Sequence, residues 1–88
     1  MVSLPSERTP LYNHTLPALE AWLQQLGARP EGSHAVGWDL HTPQWSARIE
    51  LGIEELTVTW QQAGQRRVRL FPYRLPRLDV EAAILAGP

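Results

Sequence analysis

Cysteine and lysine are both missing from this chain of 88 residues. Without cysteine there is no disulfide framework, no thiolate nucleophile, no zinc finger and no iron–sulfur ligation. That usage fits a reducing compartment. Without lysine there is no Schiff-base chemistry, and every fixed side-chain positive charge is a guanidinium. Charge is sparse as well: charged residues make up 19%, and eight basic against nine acidic residues leave a net charge of −1. A dedicated nucleic-acid binder is usually strongly basic, so this balance argues against one. No apolar run is long enough to cross a bilayer. The first eight residues lack the basic segment and apolar core of a secretory signal, so none is expected. A Gly-rich phosphate loop and a serine elbow are absent too.

What remains is a core-building composition, 43% hydrophobic with four Trp. A chain of this length makes one domain and buries roughly 60–70% of its unfolded surface. With no disulfide to help, apolar burial must offset an ordering entropy on the order of 100 kcal/mol.

Residues 1–15 hold Pro5 and Pro10 and little periodicity, and read as an extended arm ahead of a single domain over 16–88. Leu16, Leu19, Leu23 and Leu26 share one helical face over 16–26, widened by Trp22. Thr15 is a suitable N-cap, Pro17 is tolerated in the first turn, and Gly27 is a stop. Residues 28–34 read as loop. From 35 onward the period becomes two. Val36, Trp38 and Leu40, then Trp45, Ala47, Ile49 and Leu51, then Leu56, Val58 and Trp60, then Val68 and Leu70 mark four strands with one apolar face each. Val80, Ala83 and Ile84 form the stripe of a second helix over 76–87. The expected fold is α+β, a two-layer sandwich of order α-β-β-β-β-α, with two helices on one face of a four-stranded antiparallel meander.

Parity sets an expected register. The link 41–44 pairs Leu40 with Trp45 and Trp38 with Ala47. The link 52–55 pairs Leu51 with Leu56, Ile49 with Val58 and Ala47 with Trp60, which leaves Ala47 between two tryptophans. A two-residue turn at Ala63-Gly64 opposes Trp60 to Arg67 and inverts the last strand. A three-residue loop, 63–65, opposes Val58 to Leu70 and keeps the face apolar, so it is the expectation.

No catalytic set emerges. His14, His34 and His41 fall on the arm, a loop and a turn, without zinc-site spacing or a carboxylate cluster. Glu54 and Glu55 sit in a turn, where adjacent acids are usually solvated, and Glu50 on a polar strand face is expected to make a weak surface pair with Arg48. No metal and no cofactor is expected. The uneven feature is arginine: Arg66, Arg67, Arg69, Arg74 and Arg77 fall within twelve residues that also hold Phe71 and Tyr73. The expected register places Arg48, Thr59 and Arg69 in one row of the polar face, and Glu50, Thr57 and Phe71 in the next. Arg48, Arg67, Arg69, Phe71, Tyr73 and Arg74 therefore make a candidate partner surface, suited to an acidic protein or to RNA. The competing reading is an edge strand guarded by charge, with Phe71 packed on Thr57. Leu11, Tyr12, Asn13 and His14 are a second candidate, a docking strand on the arm, against an arm simply laid over the core edge.

The run TPLYNHTLPALEAWLQQLGA, then EELTVTW and the closing EAAILAGP, resembles a family of small cyanobacterial and chloroplast-related proteins catalogued as domain of unknown function 3143. The resemblance runs from about Pro5 to Pro88. It implies an oxygenic phototroph, a cytoplasmic or stromal setting and a photosynthesis-related partner. It implies no activity and no catalytic residues. The leading expectation is a small non-enzymatic protein-interaction or assembly module. RNA or ribosome association through Arg66–Arg77 is the alternative, and a small enzyme ranks last. Membrane insertion is not expected. The lightly charged first strand leaves homodimerisation open.

Overall fold

The computed structural model describes residues 4–31 and 37–88. The expected residues Val36 and His34 lie outside the described residues. A 3₁₀ turn at Leu11–Asn13 precedes helix α1, Leu16–Gln25. Five strands follow: β1 Arg29–Pro30, β2 Gly37–His41, β3 Ser46–Leu51, β4 Glu55–Gln62 and β5 Gln65–Pro72. Helix α2 spans Arg77–Ala86. The strands form one antiparallel sheet in chain order, so β1 and β5 are its two edges.

Helix α1 starts as its sequence implies. The Thr15 hydroxyl accepts from the Ala18 N–H at 3.2 Å, and Pro17 lies in the first turn, where a missing N–H costs nothing. Its inward stripe is not the one expected. Ala18, Leu19, Trp22 and Leu23 are buried, with Trp22 fully enclosed, whereas Leu16 is 59% exposed. Trp22 is placed there by a second tie: its indole N–H donates to Glu81 Oε1 on α2 at 2.8 Å. A buried indole N–H usually finds such a partner.

Among the described residues the sheet has five strands rather than four. After α1 the chain returns beside β2, pairing Arg29 with Asp39 and Pro30 with Trp38. Two residues, one of them proline, carry no period-two signal, and proline is tolerated because β1 is an edge. The β3–β4 register is as expected, with Leu51↔Leu56, Ile49↔Val58 and Ala47↔Trp60. The β2–β3 register is shifted by two residues, to Leu40↔Ala47 and Trp38↔Ile49. That shift keeps every side chain on its face, but Ala47 now lies between Leu40 and Trp60 rather than between two tryptophans. The Thr42 side chain explains it. Its hydroxyl donates to the Trp45 carbonyl and accepts from the Trp45 N–H, closing the turn one step later than expected.

The β4–β5 connection corrects the expectation outright. Gln62 pairs with Gln65 across a two-residue turn, Ala63 at φ 52 and Gly64 at φ 80. Both central residues are left-handed, the geometry whose twist matches paired strands. Trp60 therefore opposes Arg67, Val58 opposes Arg69 and Leu56 opposes Phe71. The core-facing side of β5 carries Arg67, Arg69 and Phe71, and the outer side Arg66, Val68 and Leu70.

One cluster gathers the buried residues of α1 and α2 with one face of the sheet: Leu19, Trp22 and Leu23, then Trp38, Ile49, Leu56, Val58 and Trp60, then Val80 and Ile84. The arm belongs to it as well. Leu11 is wholly buried, its N–H donates to the Leu75 carbonyl at 3.1 Å, and the Tyr12 N–H donates to the Tyr73 carbonyl at 2.9 Å. Pro10 bridges Pro76, and the Arg77 and Leu78 N–H groups donate back to Thr9 and Glu7. These bonds satisfy the open N–H groups at the start of α2, which has no side-chain cap.

Two stability measurements check this packing. Ala63→Asn should stabilise the chain by about 0.5–1 kcal/mol in thermal unfolding, because Asn tolerates the left-handed region better than Ala. A loss of stability instead would mean that Ala63 is not in this turn. Leu11→Ala should cost about 2–4 kcal/mol in urea unfolding. A cost under about 0.5 kcal/mol, the level of a surface substitution, would detach the arm from the core.

Candidate functional site

Strand β5 is unlike the other strands. Every residue from Gln65 to Leu70 is exposed, and the strand enters the core only at Phe71, which is 2% exposed. Helix α2 covers β4 at this end, where the Trp60 indole N–H donates to the Ile84 carbonyl at 3.4 Å. It does not extend over the outer half of β5. Arg67 and Arg69 thus stand on the core side of the sheet, but beyond the core. Arg69 lies over Phe71, its guanidinium carbon 5.0 Å from the ring centroid. A notch of about 210 Å³ lies between Arg67, Arg69, Trp60 and the end of α2 at Gly87.

The candidate surface is therefore divided. The row expected to join Arg48, Thr59 and Arg69 ends in Val68 instead, and the row of Glu50 and Thr57 ends in Leu70 rather than Phe71. Val68 and Leu70 are 55% and 54% exposed. They belong to this surface and not, as their period-two pattern suggests, to the core. The Ala63-Gly64 pair was the available signal. The assumption that apolar residues must face inward overrode it, and that assumption fails on an edge strand whose inner side is uncovered.

Arg48 lies on the opposite sheet face from Arg67 and Arg69, and it is already engaged. It pairs with Glu31 and stands 3.8 Å from Glu50 and 4.0 Å from Asp39. The hydrogen bond and charge of Glu31 raise its pKa further above the ordinary arginine value, against a smaller opposing effect of desolvation, with still smaller help from Glu50 and Asp39. β1 creates this arrangement by carrying the chain to Glu31 beside β2. Arg77 is also engaged, donating to the Pro5 carbonyl at 3.2 Å. Among the described residues, every ion pair involves Arg48. Among the described residues, Arg66, Arg67, Arg69 and Arg74 form no ion pair with an acidic side chain, and all four are exposed.

Tyr73 is half-buried where β5 gives way to the turn before α2, and its hydroxyl donates to the Gly52 carbonyl in the β3–β4 turn. Burial, and secondarily the charge of Glu55, raises its pKa above the usual tyrosine value of 10.0. It acts as a clasp between two turns.

On the arm, the four candidate residues separate by burial. Leu11 is in the core, Tyr12 is 63% exposed and Asn13 is exposed. His14 is 8% exposed, and its Nδ1 lies 3.1 Å from the Pro10 carbonyl. A carbonyl only accepts, so Nδ1 carries the hydrogen and Nε2 is left without a partner. Tyr12, Leu16 and Ile53 rim a groove of about 350 Å³ beside it. His41 is exposed at the end of β2, far along the fold from His14. Among the described residues no three His, Asp or Glu side chains gather as a metal site requires, and no helix is long and apolar enough to cross a membrane.

Tyr73 yields a pH prediction. A phenol whose pKa is raised by folding contributes stability that is fully present below its unfolded value near 10 and is lost as pH climbs through the folded value. Stability should therefore fall as pH rises above about 10, and Tyr73→Phe should flatten that decline in denaturant titrations at stepped pH. An identical slope in the variant would remove Tyr73 as the cause.

No curated protein and no solved structure matches this chain. A family model does match, over residues 26–87, from the end of α1 to the cap of α2. The arm and the whole of α1 lie outside the matched span, so the family is carried by the sheet and the last helix. On that match the chain belongs to the DUF3143 family, described as proteins of unknown function.

Proposed function

We propose that this chain is a non-enzymatic protein-interaction module that docks through β5. One observation carries the reading: an edge strand exposed from Gln65 to Leu70, with three arginines free of acidic partners and two large apolar side chains facing solvent. Guarding an edge with charge needs no exposed Val or Leu, and a solvated strand face needs no cluster of unpaired arginine. Their combination fits an interface with an apolar centre and an arginine border. The remaining apolar residues are largely spent on the core, and among the described residues His14 and His41 do not gather with acidic side chains.

RNA fits this surface less well. Phe71, the aromatic that would stack a base, is buried, and Arg48 and Arg77 are occupied within the fold.

Affinity capture from the host with tagged wild type, compared with Arg67→Glu/Arg69→Glu, tests the reading. Both sites are exposed, so the variant should retain its circular dichroism spectrum. Capture of the specific partners should fall by about tenfold or more, and should survive ribonuclease treatment. Unchanged capture by the folded variant would sink the proposal, and capture abolished by ribonuclease would turn it toward RNA.

A further inference from the structure

The outer side of β5 is an unpaired ladder. A two-residue turn closes on a hydrogen-bonded pair, here Gln62 with Gln65, and such pairs alternate along an antiparallel ribbon. Arg67, Arg69 and Phe71 therefore direct their backbone groups at β4. Arg66, Val68 and Leu70 direct theirs away from the sheet, and among the described residues β5 has no neighbour there. The opposite edge offers no equivalent, since β1 is two residues long and includes Pro30.

The side chains define what can pair with this edge. Across an added strand, Arg67 and Arg69 would face residues on the core side, beside the notch next to Trp60. Val68 and Leu70 would face the alternate residues on the outer side. A second copy of β5 is a poor occupant. With Val68 at the centre of an antiparallel pair, Arg67 of one copy opposes Arg69 of the other. With Arg67 at the centre, it opposes itself. Like charges directly opposed destabilise a pair of strands. The same arginines that repel a copy attract carboxylates, and Arg67 and Arg69 would sit in the close, non-hydrogen-bonded pairs where cross-strand side chains interact best.

We propose that β5 accepts an extended segment of a partner protein as a sixth strand, one in which acidic residues alternate with apolar ones. The acids pair with Arg67 and Arg69, the apolar residues pack on Val68 and Leu70, and the partner's backbone bonds to the outward groups of Arg66, Val68 and Leu70. This inference rests on the protein-docking reading and adds the chemistry of the partner.

The test uses the full chain and three synthetic peptides: an alternating Glu-Val peptide, a peptide of the same composition with Glu and Val in separate blocks, and an alternating Lys-Val peptide. Binding is read by amide chemical shifts and by hydrogen exchange. The alternating Glu-Val peptide should slow exchange of the Arg66, Val68 and Leu70 amides and bind at least about tenfold more tightly than the other two. Arg67→Glu/Arg69→Glu should reverse the preference toward Lys-Val. Val68→Pro removes one outward N–H, leaves the bonds to β4 intact and should abolish the protection. Equal binding of the block and alternating acidic peptides would overturn strand addition and leave mere charge attraction. No binding of any peptide, with host partners still lost in the Arg67→Glu/Arg69→Glu variant, would overturn this pairing chemistry while the docking reading stands. A dimer formed through β5, detected by light scattering and broken by Val68→Pro, would overturn it in favour of self-association.

Discussion

The two-residue turn at Ala63-Gly64 decides which side of the sheet each β5 side chain occupies, and most of the surface chemistry depends on that parity. Side chains alternate along a strand, so one residue more or less in the turn exchanges the two faces completely. With this turn Phe71 is drawn under Arg69 into the core, while Val68 and Leu70 are turned to solvent. Ala63 at φ 52 accepts a conformation it disfavours, and the pairing of eight residues on each strand holds it there.

The eight arginines separate into different physical situations. Arg48 is held among three carboxylates on the outer face, and its nearest partner, Glu31, arrives only because the chain doubles back as β1. Arg77 secures the arm through the Pro5 carbonyl. Arg66, Arg67 and Arg69 have no such engagements. A chain with a net charge of −1 thus presents a basic edge because its acids lie elsewhere. Screening limits what that edge can do at a distance, so contact chemistry matters more than long-range attraction.

The arm and the second helix depend on each other. Leu11 fills the core, and backbone groups from Glu7 to Tyr12 pair with those from Tyr73 to Leu78. The first turn of α2 has no side-chain cap, and the arm supplies acceptors in its place. Residues that read as an irregular leader are therefore structural. Of the arm candidates, this leaves Tyr12 and Asn13 on the surface.

Much of the fold was legible from residue order alone. The α1 cap at Thr15, the period-two strands, the β3–β4 register and the α2 stripe follow from local stereochemistry and the alternation of apolar residues, which act over a few positions. The absence of cysteine and lysine excludes the same chemistries whatever the fold. Tertiary structure decided the rest. It placed Trp22 rather than Leu16 inside, because Glu81 lies across from it on α2. It created β1, whose two residues carry no periodic signal. It also chose the face of β5, since alternation names two faces of a strand but not which of them a helix covers. The candidate surface changed from a row joining Arg48 to Arg69 into an edge of Arg66, Arg67, Val68, Arg69 and Leu70. The physical reason is that burial belongs to neighbours distant in the chain, and a strand at the rim of a sheet has neighbours on one side only.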